Sequence, residues 1–305
     1  MFPSQEAGDF FNNEVILLKY QLDLEDPDGI MEKYGIKAYP TFILVDGNGE
    51  EYSRFIGGAQ TTEQFLTKTQ NALKPENSWA YRNNKLKSDP SYTLEHIKYL
   101  NGVYMQDQAK ELLSSFFKTR SVAENFSDES IQLYNSLITD TKSPIVDYML
   151  NNPKEVAAVM GDEAFTLFLF SKADNQILSL FTRLNFEKPE SVGDFENEVK
   201  TINANRFFSS PFTQFFANNL GEIKAKKDEV ILNNLKKSLA LFTSSERRMA
   251  INFPNYLARI FKIEVDQEVM NQRTISICEA AIEVEKDPRT LEGFKNTLER
   301  LKNPQ

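Results

Sequence analysis

The chain has 305 residues, 41 % of them hydrophobic and 24 of them phenylalanine, which suffices for two domains with buried cores. Its net charge of −9 argues against a nucleic-acid partner, because binding a phosphate backbone needs a basic face. A single cysteine, Cys278, and a single histidine, His96, exclude an internal disulfide, a multi-cysteine zinc site and a CxxC pair within this sequence. We therefore expect no metal and no other cofactor. No apolar run approaches the ~18–20 residues of a membrane-spanning helix, and no signal-peptide pattern is visible.

The first quarter of the chain mixes strand and helix patterns. Glu14–Leu24 passes from an apolar run into alternation, which is typical of a strand buried on both faces at one end. Asp46–Gly49 predicts a hairpin turn, since its residues tolerate positive φ angles. The other predicted elements are a short helix at Ile30–Tyr34 ended by Gly35, a buried strand at Thr41–Val45, an antiparallel strand at Glu51–Ile56 stopped by Gly57-Gly58, and a helix from Thr61–Glu63 to Leu73.

After Pro75 the pattern is helical throughout. Five segments share one start signal, in which a small polar residue can cap free N–H groups and a proline occupies the first turn. They begin at Asp89-Pro90, Ser143-Pro144, Asn152-Pro153, Ser210-Pro211 and Asp287-Pro288. We therefore predict an all-α domain over residues 76–305.

Two further helices are indicated by apolar faces rather than by start signals. The faces consist of Ala109, Leu112, Leu113, Phe116 and Phe117 in one helix, and of Ile131, Tyr134, Leu137 and Ile138 in the next. Short polar loops between helices favour stacked antiparallel pairs, although the sequence shows no clear repeat of fixed length. The interpretation is a helical-repeat-like array, whose concave side is the expected binding surface.

The segment Tyr34–Phe42 (YGIKAYPTF) resembles the thioredoxin signature, in which a helix end, a short loop and a cis-proline precede a central strand. The hairpin and the Gly57-Gly58 pair that follow fall where that family has its β-hairpin and closing glycine. The resemblance covers about Phe2 to Leu73. It implies a cis Tyr39–Pro40 bond, and it implies that Tyr39, Pro40 and Thr41 shape a groove for the backbone of a substrate.

The chain departs from the thioredoxin pattern in lacking the CxxC and the strands that precede it in the family. Met1–Phe11 is interpreted as the tail of the CxxC helix, so we expect Met1 to be an internal residue of a longer natural protein. Without two thiols we expect no dithiol activity and no catalytic residue in this chain. The missing strands also predict an unpaired apolar sheet edge.

These observations predict an α/β, partial thioredoxin-like domain over residues 1–75, followed by the all-α, helical-repeat-like domain. The resemblance is to bacterial, Bacteroidetes-type thioredoxin-like proteins with C-terminal helical extensions. It implies a protein or peptide partner and a periplasmic or cell-envelope location. Two functions stay open. In the first, the parent protein is a thiol–disulfide oxidoreductase; in the second, the chain is a non-catalytic binding or scaffold protein.

Four other features are given structural interpretations. Cys278 is expected to be a buried, inert thiol because the neighbouring Glu279 raises a thiol pKa. His96 is expected at the surface. The acidic group Asp23, Glu25, Asp26 and Asp28 misses the EF-hand spacing and is interpreted as a solvated strand end. The aromatic group Phe207, Phe208, Phe212, Phe215 and Phe216 is interpreted as helix core.

Overall fold

A computed structural model of the protein describes residues 5–20, 26 and 29–303. This part of the chain is mostly helical, with nineteen α-helices and one two-stranded sheet. The chain divides into two compact units, Met1–Leu137 and Ile138–Gln305. The sequence predicts a domain boundary after residue 75, where a mixture of strand and helix patterns gives way to helix patterns alone. That boundary stays a prediction.

The first unit combines the sheet with the first eight helices. Its described elements are α1 Gln5–Glu14, α2 Ile30–Lys33, β1 Thr41–Val45, β2 Glu51–Ile56, α3 Thr62–Leu73, α4 Trp79–Ser88, α5 Thr93–Gly102, α6 Gln106–Phe117, α7 Val122–Asn125 and α8 Asp128–Leu137, with 3₁₀ turns at Pro75–Asn77 and Pro90–Tyr92.

The β1–β2 hairpin agrees with the sequence prediction. The strands pair antiparallel with Thr41 opposite Ile56, and a bulge shifts the register between Leu44 and Val45. In the turn, Gly49 adopts a φ of 77°, a left-handed conformation that glycine enters without a steric penalty. The Asp46 carboxylate accepts hydrogen bonds from the backbone N–H groups of Asn48 and Glu50, which fixes the turn locally.

Both faces of the hairpin are covered by side chains of the first unit. On one face the rings of Phe42 and Phe55 stack at 4.8 Å, and Phe65 of α3 packs edge-on against Phe42 at 4.8 Å. On the other, the Glu51 carboxylate accepts hydrogen bonds from the Arg54 guanidinium and, at 2.7 Å, from the Trp79 indole of α4. The hairpin is thereby held between helices rather than within a larger described sheet.

The strand predicted at Glu14–Leu24 is wrong for the residues that the structure describes. Glu14 ends α1, and Val15–Tyr20 has no regular secondary structure; Gln21–Leu24 lies outside the described residues. Ile16 is 91 % exposed and Leu18 69 %. The segment has an apolar pattern typical of a strand, but a strand needs a neighbour for its backbone groups, and no described residue supplies one.

The second unit is helical throughout its described part. Its elements are α9 Pro144–Asn151, α10 Pro153–Met160, α11 Asp162–Thr182, α12 Pro189–Ala204, α13 Pro211–Asn218, α14 Leu220–Lys224, α15 Asp228–Ser238, α16 Ser244–Ala250, α17 Phe253–Phe261, α18 Gln267–Val284 and α19 Pro288–Lys302. No strand occurs among the described residues beyond Pro75, as predicted. The antiparallel pairing of the helices stays a prediction.

Proline marks the helix starts as the sequence indicates. Four of the five predicted segments begin an α-helix with proline in the first turn, and Pro90 begins a 3₁₀ turn that leads into α5. The Ser143, Ser210 and Asp287 side chains accept hydrogen bonds from first-turn N–H groups, whereas Asn152 makes no such cap.

A phenylalanine cluster forms the centre of the second unit. Phe216 is fully buried, and its ring centroid lies 5.0 Å from that of Phe181 and 5.6 Å from that of Phe253. Phe212 and Phe215 of α13 are also buried, so these residues are helix core as predicted; Phe207 and Phe208 lie in the turn before that helix, where Phe208 is buried and Phe207 half-buried. Within the described residues, no helix combines the length and the apolar character needed to cross a membrane.

Candidate functional site

The loop that ends at Thr41 is held by hydrogen bonds on both sides of Pro40. The Thr41 hydroxyl donates to the Ala38 carbonyl at 2.5 Å, and the Gly57 N–H donates to the Pro40 carbonyl at 2.9 Å. The Tyr39–Pro40 bond is cis, as predicted. The loop therefore projects from a fixed position at the start of β1.

Tyr39 presents an aromatic ring to solvent at this loop. Its side chain is 58 % exposed, and its hydroxyl lies 3.4 Å from the sulfur of Met31, to which it donates. Pro40 is exposed beside it, while Thr41 is half-buried. The three residues predicted to shape a groove thus lie together, with an amphipathic ring and a proline facing outward. Met31 was not singled out from the sequence, where a methionine in a short helix carries no distinctive signal.

Two polar contacts connect the loop to the rest of the first unit. The Lys37 ammonium lies 2.5 Å from the Asp107 carboxylate of α6. The Arg54 guanidinium donates to the Tyr34 carbonyl at 2.6 Å, and the Tyr34 hydroxyl donates to the Gly49 carbonyl at 3.0 Å. Lys37 and Asp107 are exposed, so their ion pair contributes little stability, whereas the Arg54 side chain is buried and its half-buried bond to the Tyr34 carbonyl orders the chain before the loop.

The hairpin register determines which main-chain groups of β1 point away from β2, at the outer edge of the strand. The bond from Gly57 N–H to Pro40 makes these two residues a hydrogen-bonded pair, and such pairs alternate along an antiparallel ladder. The main-chain groups of Thr41 and Ile43 therefore point away from β2. No described residue bonds to the N–H or C=O of Ile43, so within the described part of the chain this edge is open beside Tyr39.

An aromatic cluster lies behind the hairpin, and it contains His96. This residue is 4 % exposed, so the surface position expected for it is wrong. Its ring lies between Trp79 at 6.4 Å and Tyr92 at 6.0 Å, and the Arg82 guanidinium stacks over Tyr99 at 3.8 Å. Burial and the positive charge of Arg82 lower the His96 pKa. The Nδ1 atom of His96 is buried with no hydrogen-bond partner among the described residues.

Cys278 has the properties of a structural thiol, as expected. It is fully buried in α18, and its Sγ lies 3.2 Å from the Phe294 carbonyl, to which it donates. Burial and the charge of Glu279 raise the pKa of the thiol. A raised pKa leaves less of the nucleophilic thiolate, so this sulfur is poorly suited to disulfide exchange.

The acidic residues near the chain start form no described cation site. Asp26 uses its carboxylate locally, accepting from the N–H groups of Ile30 at 2.7 Å and Met31 at 3.0 Å at the start of α2. Asp23, Glu25 and Asp28 lie outside the described residues. Across the part of the chain that the structure describes, no three His, Cys, Asp or Glu side chains are grouped to hold a metal ion.

Comparison with protein-family models, with curated proteins and with solved structures yields no match to this chain.

Proposed function

We propose that this chain is part of a thioredoxin-related protein and binds an extended polypeptide at Tyr39, Pro40 and the outer edge of β1. The observation that supports this most is the exposed Tyr39 ring on a fixed loop, directly before an edge strand whose main-chain groups point outward. An extended peptide can pair with such an edge while its side chains contact the ring and the proline.

The complete protein, in this proposal, is a thiol–disulfide oxidoreductase whose reactive dithiol lies outside these 305 residues. The resemblance of Tyr34–Phe42 to the thioredoxin signature supports it. The chain contains one thiol only, Cys278, and that thiol is buried. Dithiol exchange needs two sulfurs that can bond, with Cα atoms ~4.4–6.8 Å apart, so the chain by itself is expected to be inactive.

A non-catalytic binding or scaffold protein is the second candidate. It is supported by the single inert cysteine and by the large helical region, which offers binding surface without requiring thiol chemistry. Both candidates use the same peptide-binding surface and differ only in whether a dithiol accompanies it.

Binding at the loop is tested with a fluorescent, carboxymethylated insulin B chain as an unfolded polypeptide probe. Tyr39→Ala is expected to weaken binding about tenfold, because a central aromatic contact commonly contributes that much. Tyr81→Ala is the matched control, since Tyr81 is a 43 % exposed tyrosine on α4 of the same unit. Equal affinities of the two variants, or no saturable binding by the parent chain, would exclude the proposed surface.

The redox candidates are separated by two further measurements. In an insulin-reduction assay with dithiothreitol, this chain is expected to give no turnover above background; turnover would contradict the assignment of the dithiol to other residues. The DNA upstream of the Met1 codon decides between the candidates. An in-frame extension encoding CxxC supports the oxidoreductase, whereas an immediate in-frame stop leaves the binding protein.

A further inference from the structure

We propose that Met31 is an oxidation site beside the peptide-binding surface, and that its conversion to the sulfoxide weakens the binding of a polypeptide at Tyr39. The observation behind this inference is the hydrogen bond from the Tyr39 hydroxyl to the Met31 sulfur. The inference rests on the proposed function, because Tyr39 is the central contact of that surface, and it adds a means of regulating it.

The backbone of Met31 is held in place on both sides. Its N–H donates to the Asp26 carboxylate at 3.0 Å, and its carbonyl accepts from the Ile36 N–H at 2.9 Å. These bonds join the short helix α2 to the chain that leads into the Tyr39 loop. The Met31 sulfur therefore lies next to Tyr39 because of fixed main-chain contacts rather than by side-chain contact alone.

The hydrogen bond between the Tyr39 hydroxyl and the Met31 sulfur is easily exchanged. The phenol has one hydrogen, which it donates to Sδ at 3.4 Å. A thioether sulfur is a weak acceptor, whereas a peptide carbonyl is a strong one. A bound polypeptide can therefore take this hydrogen bond from the sulfur at little cost, while the exposed Tyr39 ring contacts its side chains.

The oxidation step needs a peroxide as the oxidant. A lone pair of the Met31 sulfur attacks one oxygen of hydrogen peroxide, the O–O bond breaks and an S–O bond forms. The sulfur is oxidised, and the peroxide is reduced to one molecule of water that retains both of its hydrogens. Met31 is half-buried and its contact with Tyr39 is open to solvent, so an oxidant of this size can reach the sulfur.

Sulfoxide formation replaces the weak acceptor by a strong one. An oxygen bonded to Sδ lies within hydrogen-bonding reach of a phenol oxygen that is 3.4 Å from the sulfur. The flexible methionine side chain lets either sulfoxide epimer turn its oxygen towards the Tyr39 hydroxyl. The sulfoxide then retains the hydroxyl against a peptide carbonyl, so a bound polypeptide loses one hydrogen bond.

The first test needs no polypeptide. The full chain is treated briefly with hydrogen peroxide, and the oxidised methionines are identified by mass spectrometry of its peptides. We expect a sulfoxide at Met31, whereas the fully buried Met149 stays unoxidised. The NMR signals of the Tyr39 ring, assigned with Tyr39→Phe, should shift on oxidation, and those of the exposed Tyr81 on α4 should not.

The second test measures binding of the fluorescent, carboxymethylated insulin B chain after the peroxide is removed. Oxidation should weaken binding by the parent chain about fivefold, the value of one hydrogen bond. Met31→Leu should bind equally before and after treatment. Met270→Leu is the matched control, since Met270 is a half-buried methionine of the second unit, and it should keep the fivefold loss. Met31→Gln, which places an amide oxygen near the hydroxyl, should weaken binding without peroxide.

Unchanged circular dichroism and melting temperature verify that the variants and the oxidised chain are folded. The inference is overturned if Met31 stays unoxidised while Met270 is oxidised, if the Tyr39 signals do not move, or if Met31→Leu loses affinity on treatment as the parent does. Equal binding by the untreated and the oxidised parent overturns this inference alone. An untreated chain that binds no polypeptide overturns the proposed function as well.

Discussion

The two units of this protein differ in how they accommodate apolar side chains. In the first unit, the segment Val15–Tyr20 leaves Ile16, Leu17, Leu18 and Tyr20 exposed one after another. In the second unit, the large exposed apolar residues are scattered singly, as at Leu167 and Leu241, and the phenylalanines are gathered into a core.

This difference follows from what each kind of element requires. An α-helix satisfies its backbone hydrogen bonds internally, so an amphipathic helix has only to bury one face. A strand depends on a neighbour for its backbone groups, and neighbours are often distant in sequence. Val15–Tyr20 has the apolar pattern of a strand without a described neighbour, whereas every helix of the second unit is complete in itself.

The largest effect is expected from a core truncation in the second unit. Phe216→Ala should lower the free energy of unfolding by about 3–5 kcal/mol, because it leaves a cavity among the rings of Phe181, Phe212 and Phe253. Leu18→Ala in the first unit should cost less than about 0.5 kcal/mol, because Leu18 is 69 % exposed. Urea unfolding followed by circular dichroism measures both. A large loss at Leu18 would mean that this segment is packed in solution.

A smaller difference is expected between two capping boxes, one in each unit. Ser121 with Glu124 caps α7, and Thr243 with Glu246 caps α16. Ser121→Ala should cost about 0.5–1 kcal/mol and Thr243→Ala about 1–2 kcal/mol. The second value is larger because Glu246 is buried and also accepts from the Phe212 N–H at 3.0 Å, so its position affects α13 as well. Equal losses in urea unfolding would show that the two caps act only on their own helices.

Local signals in the sequence predicted the elements that depend on neighbouring residues. The Asp46–Gly49 turn defines the hairpin, and a polar residue before a proline marks the start of α9, α13 and α19, because these interactions span only a few residues. The Lys37–Asp107 and Arg54–Tyr34 contacts could not be predicted in this way, since they join residues 70 and 20 positions apart.

The burial of His96 did have a local signal. Its immediate surroundings include the charged Glu95 and Lys98, which suggested the surface. In a helix, however, His96 shares a face with the aromatic residues Tyr92 and Tyr99, four positions before it and three after it. Helical spacing, rather than adjacency, was the better guide. Within the described residues the outer edge of β1 is unpaired, as expected, whereas Val15–Tyr20, within the predicted strand Glu14–Leu24, has no regular secondary structure.

Asp174 in the second unit should make stability fall as the pH rises. It is 3 % exposed; burial and the nearby charge of Glu246 raise its pKa well above 3.8, although a hydrogen bond from the Ser210 hydroxyl at 2.5 Å opposes the shift. The pKa of Asp174 is thus higher in the folded state than in the unfolded state. Its contribution to the free energy of unfolding is therefore largest at pH values below the pKa of the unfolded state, and it is lost as the pH rises towards the pKa of the folded state. The substitution Asp174→Asn keeps an oxygen that can accept the Ser210 hydrogen bond but removes the group that titrates. The free energy of unfolding of this variant should therefore rise relative to that of the parent protein between pH 4 and pH 7.

His96 should produce the opposite pH dependence in the first unit, with the smallest effect of the four. Burial and Arg82 lower its pKa from the ordinary value of 6.5, so the folded state favours the neutral ring. Its contribution is therefore fully present above pH 6.5 and is lost as the pH falls towards the lowered folded pKa. The carboxyl groups of Asp46, Asp89 and Asp107 have pKa values below 3.8 in the folded state, so they stay ionised between pH 5 and 7.5.

Trp79 makes this last prediction specific to one unit. It is the only tryptophan of the chain, and its ring lies 6.4 Å from that of His96. Urea unfolding followed by Trp79 fluorescence should show the parent losing stability from pH 7.5 to pH 5, while His96→Gln loses less over the same range because it cannot gain a proton. Parallel pH profiles for the two proteins would show that His96 is already accessible to protons in the folded state. The two groups change the free energy of unfolding in opposite directions, because low pH stabilises the fold through the buried Asp174 carboxyl and higher pH stabilises it through the buried His96 imidazole. Since each group belongs to a different unit, each pH dependence reports on its own unit.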